Sequence, residues 1–207
     1  MLPIFKKDFN QVWVLTFSSA LAGSAMTMMM LVGSLVGREL APSNDWATLP
    51  IATIVIGTAM SILPATRLMK LLGRKTTFYI FLGIGLLACA LGVLSLELSN
   101  FFLFCGAAFL LGSCAAALQQ IRFAAMEMVA FDAAATAASM VMCGGILAAV
   151  LGPELALWGS QLTEVRYQGS FLLAALSFLS AAVLLFFYRP AVVVAEDVST
   201  KARPVSA

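Results

Sequence analysis

The sequence predicts an all-α membrane protein in which six transmembrane helices form one bundle. Of the 207 residues, 62% are hydrophobic and only 11% are charged, which is more apolar surface than a water-soluble domain of this length can bury. The apolar residues fall into six runs, each about as long as a helix needs to cross the hydrocarbon core of a bilayer. The basic residues cluster beside alternate ends of these runs, as is typical of loops held in the cytoplasm.

The predicted spans are joined by short polar connections. Their approximate bounds are residues 11–37, 47–69, 76–96, 100–121, 133–158 and 168–188. Pro64 is expected to kink the second span near its end, and the short turn LELSN makes the third and fourth spans antiparallel neighbours. Residues 1–10 are interpreted as a cytoplasmic lead with a basic-amphipathic pattern. Residues 189–207 are interpreted as a polar cytoplasmic tail that is disordered.

The connection between the second and third spans determines the predicted orientation. It reads PATRLMKLLGRK and contains four basic residues and no acidic one: Arg67, Lys70, Arg74 and Lys75. An even number of spans places both chain ends on the side of this connection. That side then holds ten of the 12 basic residues, and Arg38 and Arg166 lie on the other. The bias predicts that both termini are cytoplasmic.

The segment from the first span to this connection carries a resemblance. LVGSLVGRELAPSNDWATLPIATIVIGTAMSILPATRLMKLLGRK resembles the first two spans and the following loop of a major facilitator superfamily transporter, whose loop signature is G-x-x-x-D-R-x-G-R-R. Gly73, Arg74 and Lys75 match its glycine and basic pair, and Lys70 stands in place of the acid. The resemblance implies a gating role for this loop and a differently wired cytoplasmic lock at Lys70. The residues alone are also explained by a positive-inside anchor loop.

Two later segments extend the resemblance to residues 11–188. QQIRFAAMEM resembles the end of the family's fourth span, and GGILAAVLGPELALWG resembles its fifth-span signature. Gly144, Gly145, Gly152 and Pro153 match that signature. Glycines permit close helix contact and the proline bends the helix. Within the family, the strings look most like a bacterial subgroup that includes importers of copper for cytochrome oxidase assembly, which implies the bacterial inner (cytoplasmic) membrane.

The family normally has two six-span repeats, so the resemblance implies one major-facilitator-type repeat bundle. Such a bundle is expected to pair with a second six-helix bundle, either in a homodimer or as a separate half. The function expected is half of a secondary transporter that moves a small solute by alternating access. Two alternatives stay open: a non-transporting membrane subunit packed on a larger membrane complex, and a Cu(I) uptake component. Whether the chain is a natural half or a truncation also stays open.

The candidate solute path lies on the first and fourth spans, as the resemblance implies. Its residues are Gly23, Met26, Met30, Gln119, Gln120 and Arg122. Small and polar residues on these spans are costly against lipid, so they also predict the face that meets the partner. The residues of that face are Gly23, Ser24, Thr27, Gln119, Gln120 and Arg122. Arg122 is equally explained as an end-of-helix cation that reaches the interface.

Methionine and cysteine supply the one candidate metal site. Met26 and Met30 are four residues apart and share a helix face, and Met140 and Cys143 lie in the fifth span. Thioether and thiolate ligands suit Cu(I), although methionine is also a common filler of apolar packing. The chain has no histidine, and no nucleotide loop or catalytic triad is present. We therefore expect no enzyme activity and no cofactor, and a net charge of +2 predicts no nucleic-acid partner.

Overall fold

The structure, a computed structural model, describes the backbone of residues 3–190 and the side chains of residues 9–190. This part of the chain is helical, with no strand. Its helices are α1 (Pro3–Leu40), α2 (Leu49–Leu72), α3 (Arg74–Glu97), α4 (Phe101–Leu118), α5 (Ile121–Met126), α6 (Ala134–Gly159) and α7 (Gln168–Phe186). Short 3-10 turns, Asn44–Trp46 and Phe131–Ala133, precede α2 and α6.

Six segments of the described chain are long and apolar enough to cross a membrane, because α4 and α5 together make one span, Phe101–Met126. The prediction of an all-α protein with six spans is confirmed. The first helix begins at Pro3, so it extends back through part of the predicted lead, and its membrane-length apolar segment is Phe9–Leu40. The last helix ends at Phe186, two residues before the predicted bound. Residues 191–207, which include most of the predicted tail, lie outside the described residues.

The fourth span extends beyond its predicted end, to Met126. Residues 122–126 were expected in a loop, but they belong to α5, so that expectation is wrong. The short helix forms because Ile121, Ala124 and Ala125 recur at helical spacing and are all buried. Their burial outweighs the polar Gln-Gln pair before them and the basic residue among them.

The helices pack in two groups around one core. α1 lies along α6 and α7, α2 lies along α4, and α3 joins the groups through α4 and α7. Phe78, Phe104, Phe171 and Phe178 fill the centre, each at most 3% exposed. α1 and α4 touch each other far less than either touches its own neighbours. The bundle is therefore open along the seam between α1 and α4.

Small residues allow the close approach of α1 and α6. A Cβ atom on Gly144 would lie 2.7 Å from the carbonyl oxygen of Thr16, and one on Gly152 would overlap Thr27. Between these glycines, the Thr27 hydroxyl donates a hydrogen bond to the carbonyl of Ala148 at 2.8 Å. Helices in lipid associate through such packing and hydrogen bonds, since the solvent provides no hydrophobic drive.

The contact between α2 and α4 uses the same chemistry. Gly57 lies against the backbone of Phe109, and Gly112 lies against the backbone of Ile54. The Thr58 hydroxyl donates to the carbonyl of Gly112 at 3.0 Å. The two outer helices, α2 and α6, are thus each fixed to an inner helix by glycines and one threonine.

The N-terminal part of α1 and the residues just after α7 meet at one end of the bundle. The backbone N–H of Arg189, just after α7, donates to the side-chain carbonyl of Gln11 at 2.8 Å. The α2–α3 connection is at this same end, because Lys75 contacts the carbonyls that close α7. The basic connection, the N-terminal part of α1 and the residues just after α7 therefore lie at the same end of the bundle. Four further cations assigned to this side lie outside the described side chains: Lys6, Lys7, Lys201 and Arg203.

Candidate functional site

An apolar cavity of about 430 Å³ lies beside the open seam, between α1, α2 and α4. Met26, Met29 and Met30 line it from α1, and α2 contributes aliphatic side chains. Its polar groups come from threonines and from Gln119 at the end of α4. We call this space the apolar cavity. Flexible thioethers suit a site that holds a flat or aromatic molecule, since sulfur packs well against aromatic rings.

A second cavity of about 300 Å³ adjoins the first, between α1, the α4–α5 junction and α6. Gln119 lines both cavities, and Arg122 is the one charged residue among residues 9–190 in the lining of either. Ser19 and Gly145 provide further walls, from α1 and α6. We call this space the basic cavity. An arginine without an acidic neighbour in the lining gives the pair of cavities a positive potential.

The break between α4 and α5 places these polar groups. The N–H of Gln120 bonds to the carbonyl of Ala117, three residues back, at 3.0 Å, and a new helix starts at Ile121. This tight turn puts Gln119 at the junction of the two cavities. In transporters, discontinuous helices often mark the binding site. The break was not predicted, although two adjacent glutamines between apolar runs are a signal that could have revealed it.

The predicted path residues divide into two groups. Met26, Met30, Gln119 and Arg122 line the cavities. Gln120 lines neither, and it is half-buried. The remaining path residue, Gly23, lies at the contact with α6, where an added Cβ would come within 2.9 Å of that of Ala148.

The predicted partner face needs one correction. Ser24 was expected on it, but its side chain is buried, and its hydroxyl donates to the carbonyl of Ala20 at 2.8 Å. It therefore does not lie on an open face. Thr27 both bonds to α6 and lines the apolar cavity. The physical reason is that α1 turns this side toward α6, where small residues are needed for close packing.

The candidate metal ligands are not brought into one cavity. Met26 and Met30 line the apolar cavity, whereas Met140 and Cys143 are absent from its lining. Met142 is the α6 methionine that reaches the basic cavity. The structure therefore separates the two halves of the predicted ligand set.

The basic connection borders a third cavity, of about 630 Å³. This cavity lies at the end of the bundle where Arg189 contacts Gln11. Gly73 has a φ of 82°, which glycine adopts at no steric cost. It is the single residue that separates the end of α2 from the start of α3. Arg74 forks onto Glu127, with Nε donating to Oε2 at 2.7 Å and a second bond to Oε1. Sequence reasoning missed Glu127, because it lay in a predicted loop far along the chain.

Lys75 closes the end of α7. Its Nζ donates to the carbonyls of Phe186 at 2.8 Å and Tyr188 at 2.7 Å. A cation is stabilised at this position by the helix dipole and the free carbonyls of the last turn. Burial raises the pKa of the neighbouring Tyr188 to about 12, against the opposing effect of Arg74. By contrast, Lys70 is exposed and forms no ion pair with any of residues 9–190.

The fifth-span signature also has divided roles. Gly144 and Gly152 face α1, while Gly145 lines the basic cavity and has open space where a Cβ would lie. Pro153 lies inside α6. The signature therefore serves helix packing on one side and the cavity on the other.

Comparisons with known proteins bear on the whole bundle. Residues 12–207 match the sequence profile of the Major Facilitator Superfamily. The riboflavin transporter RfnT of Brucella anthropi is 32% identical over 181 residues, which is 87% of this chain and 46% of that protein. Two uncharacterized MFS-type transporters of Bacillus subtilis, YdeG and YddS, are each 27% identical, over 84% and 90% of this chain and 42% and 43% of their own lengths.

The chain thus spans less than half the length of the curated relatives it matches. No solved structure matches it significantly. Neither the family profile nor these relatives support the expected likeness to copper importers for cytochrome oxidase assembly.

Proposed function

The chain belongs to the Major Facilitator Superfamily, and on this basis we propose that it is one half of a secondary transporter that moves a small solute by alternating access after pairing with a second six-helix bundle. The observation that carries this proposal is the pair of open, adjoining cavities beside the seam of α1 and α4. Met30, Gln119 and Met142, which line them, are all exposed. A second bundle over the seam encloses both cavities.

The surfaces beside the seam support a bundle as the partner. α2 and α6 belong to the two least buried of the six spans. They carry large exposed apolar side chains such as Met60 and Leu63 on α2 and Ile146 and Val150 on α6. Between these apolar flanks, polar side chains at the cavities would be costly against lipid. An apolar rim around a polar centre suits a membrane partner that leaves a closed path between the bundles.

Riboflavin is the first solute to test, because the Brucella anthropi relative is named a riboflavin transporter. The apolar cavity supports this choice. Its three methionines suit a flat aromatic ring system, and Gln119 offers an amide donor and acceptor for polar ring edges. We also propose that both termini face the cytoplasm of a bacterial inner membrane. The described cations of the α2–α3 connection lie at the end of the bundle where Arg189 contacts Gln11, and basic loops are typically held on the cytoplasmic side.

A chimera tests the proposal directly. In it, this chain replaces the segment that it matches in the Brucella anthropi relative, and uptake of riboflavin is measured in cells that depend on external riboflavin. We expect uptake above that of cells without the chimera. Gln119→Leu should reduce uptake severalfold, whereas Gln161→Leu, at an exposed position in the connection before α7, should leave it unchanged.

A chimera that reaches the membrane in normal amount but transports no riboflavin would contradict riboflavin as the solute. The chain by itself provides a second arm. If it copurifies in fixed stoichiometry with a large membrane assembly and has no effect on solute uptake, it is a non-transporting subunit.

A further inference from the structure

We propose that the path through this bundle recognises organic anions, with Arg122 binding a carboxylate, sulfonate or phosphate group while the apolar body of the solute lies in the apolar cavity. The inference rests on the proposed transport function and specifies the solute class of the same site. It goes beyond riboflavin, whose ring system carries no such group.

The charge balance of the cavities is the first argument. Arg122 is permanently charged, and among the residues whose side chains the structure describes, no acidic one lines either cavity. The walls around it include the apolar residues Leu118, Val141 and Met142, and their polar residues, Ser19 and Gln119, carry no charge. Low-dielectric walls concentrate the field of an uncompensated charge. The pair of cavities therefore attracts anions and repels cations.

The second argument is that the guanidinium is available. The two ion pairs among residues 9–190 join Arg74 to Glu127 and Arg166 to Glu39. Arg122 is exposed, and within that range it forms neither an ion pair nor a hydrogen bond through its side chain. Its guanidinium lies over the ring of Phe123, 4.8 Å from the centroid, and its planar N–H edge makes no hydrogen bond with residues 9–190. That planar edge matches the two oxygens of a carboxylate or phosphate.

The third argument is continuity between the cavities. Gln119 lines both, and it lies three residues before Arg122, close to the same side of the broken helix. The apolar cavity, at about 430 Å³, falls within the range of small-molecule sites. One elongated solute can therefore place its ring against the methionines, its middle at Gln119 and its acidic group at Arg122.

An acidic residue of the second bundle is the rival partner for Arg122. The geometry favours the solute, because Arg122 lines a concave space walled by three helical segments, α1, the α4–α5 junction and α6. A side chain from a facing bundle would have to enter that space and would fill the path. The positions that face outward beside the seam, on α2 and α6, are largely apolar.

Two flavins provide the matched probes, since riboflavin and riboflavin 5′-phosphate share a ring system and differ by one phosphate group. The purified full chain is placed in nanodiscs of zwitterionic lipid, and binding is followed by flavin fluorescence anisotropy. We expect the phosphate form to bind more tightly. Arg122→Gln should reduce its affinity about tenfold or more and leave riboflavin affinity nearly unchanged. Arg122→Lys should restore part of the loss, because the charge remains without the fork.

The control is Arg67→Gln, which removes an exposed arginine of α2 that lines neither cavity. It should leave both affinities unchanged, and tryptophan fluorescence and elution volume should show that all variants are folded. The proposal is overturned if the phosphate form does not bind the wild-type chain, or if Arg122→Gln leaves its affinity the same. It is also overturned if Arg122→Gln weakens only self-association of the chain.

This outcome is separate from that of the chimera. Anion binding that depends on Arg122, in a chain that copurifies with a large membrane assembly and has no effect on solute uptake, would contradict the proposed function alone. A chimera that transports riboflavin while Arg122→Gln leaves anion binding unchanged would contradict only the anion site.

Discussion

Replacing Gly152 by alanine should separate the two most closely packed helices of the bundle. Gly152 lies on the face of α6 that meets α1. A Cβ atom there would overlap the hydroxyl of Thr27 and would lie 2.8 Å from the carbonyl oxygen of Ser24. The carbonyl belongs to the backbone of α1 and has little freedom to move, so we expect the helices to shift apart.

The expected cost has two parts. Overpacking of a tight contact costs about 1–3 kcal/mol. The shift also strains the hydrogen bond from Thr27 to the carbonyl of Ala148, 2.8 Å in length, and such interhelical bonds contribute about 0.6 kcal/mol in membrane proteins. Together these two parts should lower the unfolding free energy of the Gly152→Ala variant by about 2–4 kcal/mol. A gain in helix propensity of up to about 1 kcal/mol opposes this, so a matched control is needed.

Gly145→Ala is that control, because it is seven residues away on the same helix and has open space where its Cβ would lie. Both variants gain the same propensity, so their difference isolates the packing term. The assay is unfolding in mixed micelles with increasing dodecyl sulfate, followed by tryptophan fluorescence. Trp13 on α1 and Trp158 on α6 report on the two helices concerned.

A second variant tests whether Thr27 is the group that is displaced. Thr27→Ala removes the overlapping hydroxyl, so the double variant Thr27→Ala with Gly152→Ala should be about 1 kcal/mol more stable than additivity predicts. The reasoning is refuted if Gly152→Ala is as stable as Gly145→Ala. Strict additivity would show instead that the contact with the backbone of Ser24, not the hydroxyl of Thr27, sets the cost.

Three further predictions concern the two ends of the bundle. In a cysteine-free background, Ser43→Cys should react with an impermeant maleimide in intact cells and Lys70→Cys only in inside-out vesicles; the reverse pattern would contradict the orientation. Glu127→Arg should lower the thermal midpoint by placing two cations together, by the equivalent of about 0.2–1 kcal/mol, and adding Arg74→Glu should restore it; a swap that restores nothing shows that the pair is not specific. Lys75→Met should speed amide hydrogen exchange at the end of α7, whereas Lys70→Met should not, and equal exchange in both variants would mean that the lysine does not close the helix.

The fold could be predicted from the sequence because lipid imposes simple rules. Apolar runs of about 20 residues and the bias of basic residues do not depend on how the helices pack. The error at the end of the fourth span has a physical cause. Arg122 and the Gln-Gln pair were read as the end of a membrane span, but α5 keeps an apolar face that is buried against neighbouring helices. Burial within a bundle is a tertiary property, so local polarity alone could not show it.

The site was predictable only where a residue type decides its own role. Met26, Gln119 and Arg122, which were predicted on the solute path, line the two cavities, and polar or charged side chains within apolar spans commonly face a bundle interior or a cavity. The side of α1 that each residue faces depends on the rotation of the helix. Ser24 was therefore placed wrongly, and nothing in a single sequence fixes such a rotation when small residues lie on more than one side.

No sequence pattern predicted the ion pair between Arg74 and Glu127. This pair changes how Lys70 is interpreted. The family signature has an acid in the α2–α3 connection, and this chain has Lys70 there. The structure supplies a carboxylate from the other side, because Glu127 comes back from the end of the fourth span to meet Arg74. Lys75 is satisfied by the carbonyls at the end of α7. Within the bundle, Arg74 is thus paired with a carboxylate and Lys75 is hydrogen-bonded to carbonyls, while Lys70 remains exposed beside them. A second bundle that closes over this end would face the exposed cation of Lys70. In a protein with the usual family signature, the second bundle would face an acidic side chain at the same position. We therefore expect its facing surface to carry a carboxylate or the carbonyl end of a helix.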